Sequence, residues 1–367
     1  MDATSEEPQA SLPASLEHAI PPHLIVERTQ PWHKDARQPP KGASHSFWFG
    51  SDIESIVVLY IGLQFLPGTD VDVPVASTRK YLNRVHDGHY YHCETSGLDD
   101  EGYQTIVSIA YWKNTQDYRV WKAALPKDWY HEGLELDGPV GAFIEIYTPT
   151  VRDLESSYSH TIPHGWGHIA DHTTKPTDLC GYLGSMRDRF PRAQSDELIA
   201  KGHPKAVNLP AGADSRGRIV AVEPHSNAVV VNSGQRWKLA EEEEREYYHS
   251  RIQPKLNIFL TPLAEGLSAG CYFQRFLVMN CPETNSCHTI SYSLWHSQSH
   301  LEAYVLKKPH RELMSVAIVD YLKRQKSGGA KLELYHEAMV LEEKNQAFEY
   351  FNCHPRTGML RAIMLKS

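Results

Sequence analysis

The chain has 367 residues, 41% of them hydrophobic and 22% charged, the balance of a globular protein long enough for one large domain or two ordinary ones. Its formal net charge of -8 leaves no basic footprint of the kind that nucleic-acid binding requires. No apolar run reaches the roughly 18 residues that span a bilayer, and the opening Met1-Asp2-Ala3-Thr4-Ser5-Glu6-Glu7 lacks the basic start and apolar stretch of a secretory signal.

Residues 1–46, rich in Pro, Ser, Ala and charge, are expected to form an extension that is partly disordered or draped over the surface, leaving residues 47–367 as the folded domain. From there strands and helices alternate. Residues 56–64 are β-branched and apolar and read as a buried strand, 75–85 as a helix, 105–112 as a strand. A helix through Tyr118 and Trp121 and a strand at 142–147 follow. Strands are expected at 218–222 and 228–232, then a charged helix from Glu241 to about Arg251, stopped by Pro254. Strands at 271–279 and 288–294, a helix around 311–323 and a final strand at 331–340 complete the series. There is a faint internal echo: Trp112 ends one strand and Trp121 follows nine residues later, while Trp295 ends another and Tyr304 follows at the same interval. That suits two similar α+β halves, about 47–165 and 215–355. No G-x-G-x-x-G follows a strand, so a dinucleotide fold is not indicated.

Six cysteines (Cys93, Cys180, Cys271, Cys281, Cys287, Cys353) scattered through a chain with no secretory signal read as reduced thiols in a cytoplasmic protein. The spacing Cys281…Cys287-His288 does not match the usual zinc motifs, and C-x-x-C-H, which would attach a haem covalently, is absent. Of the 21 histidines, two stand on apolar faces. In the last strand Leu332, Leu334, His336, Ala338 and Val340 alternate onto one side, with Lys331, Glu333, Tyr335 and Glu337 on the other, so His336 is expected to point inward. After Pro309, residues His310, Leu313, Met314, Ala317 and Tyr321 share one helical face. Either histidine could be a hydrogen-bonded core residue, a metal ligand or an acid–base group, and periodicity does not choose. Residues 182–191 read as a surface loop with an Arg–Asp pair, and 229–235 as an apolar strand ending in a Ser-Gly turn. Glu155 reads as exposed, and Glu241-Glu242-Glu243-Glu244 as a solvated helix face.

Several blocks together change the odds. Gly184-Ser185-Met186-Arg187-Asp188-Arg189-Phe190-Pro191 resembles the haem-containing aldoxime dehydratases, the phenylacetaldoxime dehydratase type among them. So do Asn232-Ser233-Gly234-Gln235, Gly270-Cys271-Tyr272 with Arg275-Phe276, Leu334-Tyr335-His336-Glu337, and residues 348–361, in the family's order. The resemblance implies a dimeric α+β barrel built from two ferredoxin-like halves, a homodimer, and one non-covalent haem b per subunit in a catalytic domain at 47–367. It implies His336 as the distal general acid and base, Arg189 and Ser233 as partners of the oxime hydroxyl, and Glu155 as the assisting carboxylate. The axial ligand to the haem iron falls on His310. Bacterial members carry His-Pro-Thr-His there, whereas this chain has only Lys308-Pro309-His310 and extra residues around Lys326-Ser327-Gly328-Gly329; His296 and His300 are the alternatives. The expected reaction removes water from an aldoxime, bound through nitrogen to ferrous haem, to leave a nitrile. The rival readings are a peroxidase-like or chlorite-decomposing enzyme of the same barrel, and a haem sensor without turnover.

Overall fold

The computed structural model describes residues 16–33, 44–83, 90–207, 215–265, 270–279, 287–320 and 331–364. Its β-branched and aromatic runs pair into two blocks, each running strand, helix, strand, strand, helix, strand. The first holds β2 (Val57–Phe65), α1 (Asp72–Leu82), β3 (Tyr90–Leu98), β4 (Gln104–Trp112), α2 (Thr115–Ala123) and β5 (Val140–Tyr147). The second holds β10 (Ala228–Arg236), α4 (Glu242–Tyr247) continuing into α5 (Gln253–Glu265), β11 (Cys271–Met279), β12 (His288–Trp295), α6 (Gln298–Val305), α7 (Lys308–Met314) and β13 (Glu333–Leu341). Within each block the strands lie in the order fourth, first, third, second, all antiparallel. The blocks join where Val278 and Met279 of β11 pair with Ser96 and Thr95 of β3.

Four further strands extend this sheet to twelve. β6 (Leu154–Tyr158) adds to β13, and β14 (Gln346–Phe351) adds to β5, followed by β9 (Ile219–Glu223) and β8 (Lys205–Val207). Thus β6, from the first half of the sequence, borders the second block, and β14 does the reverse. A separate pair joins β1 (Phe47–Trp48) to β7 (His172–Thr173).

The faces of the sheet sort into three apolar layers. One face of both blocks meets in a shared interior, where the Tyr60 ring stacks on Tyr292 at 3.9 Å between centroids. There Arg275 donates two hydrogen bonds to Glu145, at 2.7 and 2.8 Å. Tyr292 and Tyr350 also donate to that carboxylate, so a charge pair that would be costly if left incomplete has its lone pairs occupied. The outer face of each block is covered by its own helices: Val57, Leu59, Trp112 and Trp121 pack in the first, and Val229, Val231, Ala338, Val340 and Leu313 in the second.

The sequence echo has a structural basis. Trp112 packs on Trp121 at 4.7 Å, and Trp295 on Tyr304 at 5.4 Å, each clamping a helix to the end of the preceding strand. Two residues after each Trp stands an N-cap, Asn114 for α2 and Ser297 for α6, whose side chain accepts a backbone N–H of the first turn.

Several expectations need correction. Pro254 does not stop its helix: a π-helical turn at Tyr248–Ile252 precedes it and the helix runs on as α5. The wider turn accommodates a residue that has no N–H to give. The strand after residue 331 is not the last, since β14 follows it. The helix expected around 311–323 begins earlier, at Lys308, and continues as a π turn at Ser315–Asp320, with Met314 39% exposed. Glu244 is buried and accepts the backbone N–H groups of Lys331 and Leu332, so the acidic run is only partly a solvated face. Residues 16–33 pack on the body: Ala19 donates its N–H to Asp178, and Leu24 is buried. Cys281, Tyr321 and Lys326-Ser327-Gly328-Gly329 lie outside the described residues; the other five cysteines are free thiols.

Candidate active site

The register of three neighbouring strands assembles most of the site. His336 of β13 stands opposite Ser233 of β10 on one side and Ser157 of β6 on the other. Directly paired residues of an antiparallel sheet project from the same face, so Ser233, His336 and Ser157 form a row. Glu155, two residues before Ser157, belongs to that face too. This is the outer face of the second block, beneath α5, α6 and α7.

Arg189 comes from elsewhere. It closes the short helix α3 (Ser185–Arg189), entered through Gly184 at φ 87. Its Nε donates to Glu155 at 2.8 Å, one terminal nitrogen to the Leu179 carbonyl at 2.9 Å, and the other approaches His336 Nε2 at 3.0 Å. The segment is therefore no surface loop, and Glu155 is not exposed: Arg189 and Glu155 are each about 4% exposed. Arg187 meets Glu302, and Asp188 is wholly buried.

Two groups thus converge on one nitrogen. His336 Nε2 lies 3.0 Å from Glu155 Oε1 as well as from Arg189. The Glu155 contact lacks hydrogen-bond alignment, and Oε1 is among the buried oxygens with no hydrogen-bond partner. Arg189, which can only donate, approaches Nε2, and Glu155 Oε1 lies beside the same nitrogen. Burial opposes the Glu155 charge, yet Arg189 and His336 together hold its carboxyl below the usual range.

The rest of β13 corrects the sequence reading of that strand. Both faces are buried, because one lies under the helices and the other in the shared interior. Glu333, Tyr335 and Glu337, expected opposite the core, are at most 5% exposed. Glu333 is satisfied by Arg236 and His164, and Glu337 by the Tyr158 hydroxyl and the Trp166 N–H. Alternation identifies the residues sharing a face, but not which face carries the chemistry.

Within the helix-covered layer, a set of residues is left incompletely covered. The His336 side chain is 27% exposed, Ser233 and His310 are half-buried, and so are the apolar side chains of Met186, Phe259, Phe276, Val305, Val316 and Leu334. Apolar side chains between a sheet and its helices normally close on one another. These incompletely covered residues are mostly apolar, with one His on the sheet and one on the helices, side chains whose chemistry suits a largely apolar, iron-bearing group such as haem. His310 sits in the first turn of α7, its ring 5.2 Å from that of Phe259, and burial pushes its pKa down. A neutral imidazole is the form that an iron ion binds.

The alternatives to His310 are engaged elsewhere. His296 Nδ1 is 2.7 Å from the Tyr272 hydroxyl and His300 Nδ1 is 2.7 Å from Ser297 Oγ, in a histidine cluster at the end of β12 that includes His203 and His225. Sequence reasoning missed two contributors. The Leu179 carbonyl is a backbone acceptor with no side-chain signature, and Asp188 was visible only as one letter between two arginines.

The chain as a whole resembles known proteins in sequence and in fold. A profile of the haem-containing dehydratase family matches residues 60–359. The aliphatic aldoxime dehydratase of Rhodococcus erythropolis is 32% identical over 358 residues, 94% of this chain and 98% of that protein. The phenylacetaldoxime dehydratase of Bacillus sp. (strain OxB-1) is 29% identical over 270 residues, 71% of this chain and 74% of that protein. A crystal structure of an aldoxime dehydratase superposes with a TM-score of 0.86 at 29% identity, covering 95% of this chain and 99% of that one. Another, in complex with butyraldoxime, gives 0.84 at 28% identity, with coverage of 95% and 97%. With its fold and nearly its whole length in agreement, the chain belongs to the haem-containing dehydratases.

Proposed function

We propose that this protein dehydrates aldoximes, R–CH=N–OH, to nitriles and water, with haem b held by His310. The observation that carries the reading is the meeting of Arg189, Glu155 and His336 Nε2 at the edge of a partly open apolar layer. His310 would hold the haem, which as Fe(II) would supply an electron-rich Lewis acid for the oxime nitrogen.

The remaining work belongs to the chain. Hydroxide is a poor leaving group, so a proton must reach the oxime oxygen as the N–O bond breaks. His336 delivers it from Nε2, and the oxygen departs as water. The neutral ring then removes the proton on carbon, completing the C≡N bond and restoring the acid. Ser233, paired with His336 across the strands, and Arg189 hold the oxime hydroxyl and offset charge developing on it. Glu155 fixes Arg189 and accepts from the charged ring. Met186, Phe259, Phe276 and Leu334 offer the substituent R an apolar lining from which bulk water is excluded.

In the same reading the two four-stranded blocks are the ferredoxin-like halves of a dimeric α+β barrel, and residues 47–367 act as a single catalytic domain. The protein works as a homodimer in the cytoplasm. No described helix is long and apolar enough to cross a membrane.

The test is an absorption spectrum of the haem-loaded protein, ferric and dithionite-reduced, before and after anaerobic addition of phenylacetaldoxime or butyraldoxime. A Soret band that responds to aldoxime in the reduced state, with nitrile accumulating, is the expected result. A haem spectrum indifferent to both aldoximes, with peroxide turned over instead, would favour a peroxidase-like enzyme. Without a Soret band the cofactor assignment falls.

A further inference from the structure

Residues 16–33 clasp the segment that presents Arg189. We propose that this N-terminal arm is part of the catalytic apparatus, with Arg28 and Asp188 as positioning residues that fix the helical turn carrying Arg189. The proposal rests on the role given to Arg189 above.

The junction is built around a carboxylate with no access to solvent. Asp188 is 0% exposed and accepts the His33 N–H at 3.2 Å and the Tyr182 hydroxyl at 2.7 Å. Arg28 stands 3.8 Å from its Oδ1 and donates to the Asp188 carbonyl at 3.2 Å and the Ala193 carbonyl at 3.3 Å. One guanidinium thus ties together the end of α3 and the turn that follows. The Arg28 guanidinium is itself stacked 3.6 Å over the Trp32 ring. Farther along, the Gln194 carbonyl accepts the N–H groups of Thr29 and Gln30 at 2.8 and 3.1 Å, and its side chain bridges the Val26 N–H and the Leu24 carbonyl. At the other end Gly184 lets the arm in: a Cβ there would fall 1.8 Å from His33 Cδ2.

Burying a carboxylate costs several kcal/mol unless its environment replaces water fully. Among the described residues the replacement comes from the arm and from Tyr182, and the residue held is the immediate neighbour of Arg189. The arm also covers the Glu155–Arg189 pair from behind. A cavity of about 30 Å³ separates them, lined by Ala19, Leu24, Phe47 and Trp166 together with Glu155 and Arg189. That volume admits no more than about two or three waters. With the arm in place the ion pair works in a low-dielectric setting, where its orientation and field count most. Arg189 must satisfy Glu155, Leu179 and His336 at once, so a tilt of α3 by an ångström would break the set, a displacement that can cost up to about 100-fold in rate.

The experiment uses the full-length holoenzyme. Arg28→Ala and Asp188→Asn are expected to keep haem stoichiometry and the Soret band, leave KM within about twofold, and lower kcat roughly tenfold or more. Arg28→Lys, which cannot fork to two carbonyls, should fall between Arg28→Ala and the wild type. Adding Arg28→Ala to Arg189→Ala should change kcat by less than about twofold, because the arm acts through a side chain already removed. Undiminished kcat in Arg28→Ala and Asp188→Asn, a loss that merely follows haem or folded fraction, or full multiplication of the two effects would overturn the proposal. A fully active Arg189→Ala would instead sink the reading of Arg189 and the arm's role with it, whereas an impaired Arg189→Ala beside an unaffected Arg28→Ala removes the arm alone.

Discussion

Replacing Glu155 with Gln keeps the shape of the side chain and removes the charge that Arg189 and His336 share. The wild-type carboxylate is fully enclosed, and among the described residues the other partners of Arg189 are the Leu179 carbonyl and His336 Nε2. Deleting one member of a buried pair outright costs about 3–5 kcal/mol, because the remaining charge is stranded. Gln still offers one oxygen to Arg189 Nε, which recovers a hydrogen bond worth roughly 1–2 kcal/mol, so the expected destabilisation at pH 7 is about 2–3 kcal/mol. The pH dependence has a definite sign. The Glu155 carboxyl is held below its usual range in the folded protein, so its stabilisation is present above the unfolded carboxylate value and disappears as pH falls through the folded one. Urea unfolding of wild type and Glu155→Gln should differ fully at pH 7 and converge on acidification below about pH 4. Catalysis should suffer separately. A mispositioned donor to the leaving oxygen is worth about 3 kcal/mol, or roughly 100-fold in kcat, with haem retained. A Glu155→Gln enzyme as stable at neutral pH and as active as the wild type would refute the claim that this carboxylate organises the site.

Other outcomes follow from the same geometry. His336→Ala should keep its haem, measured as the pyridine haemochrome, and lose activity by about 100-fold or more. His310→Ala should lose the haem itself, and a full complement of cofactor in that variant would show the axial ligand to be another residue. Burial pushes the Glu337 carboxyl up to about 8, so in the native state it holds a proton at neutral pH that the unfolded chain releases. Stability from this group is complete below the unfolded carboxylate value and declines as pH rises toward 8. Glu337→Gln should flatten that decline in thermal unfolding scans between pH 5 and pH 9, and an unchanged slope would count against a protonated Glu337.

Most of the individual elements could be read from the residues, because local rules govern them. The apolar run of β2, the alternation of β13 and the proline opening α7 are all short-range signals. Even the repeat could be read, since the Trp-to-helix interval and the caps two residues after each Trp restate one packing solution twice. Among the strands that escaped were β3, whose residues are polar and half-buried, and β6, five residues with Glu and two Ser. Neither has a local reason to be a strand; each is recruited by a neighbour with unpaired backbone groups to satisfy.

The functional side chains divide in the same way. His336 and His310 stand out by periodicity, and the ordered blocks around Arg189 and Ser233 pointed to the family before any contact was known. What no linear rule contained was the distance between them. Glu155 lies 34 residues from Arg189 in the chain, and Arg189 147 from His336, yet they share a charge and a nitrogen. Burial of Glu155 and Asp188 could not be foreseen from sequence, because a carboxylate is buried only where partners from distant segments replace its water. The sequence determined which elements form and which residues share a face. The tertiary structure alone decided which of the two covered faces gathers Ser233, His336, Glu155 and Arg189, and laid the N-terminal arm against the turn that carries Arg189.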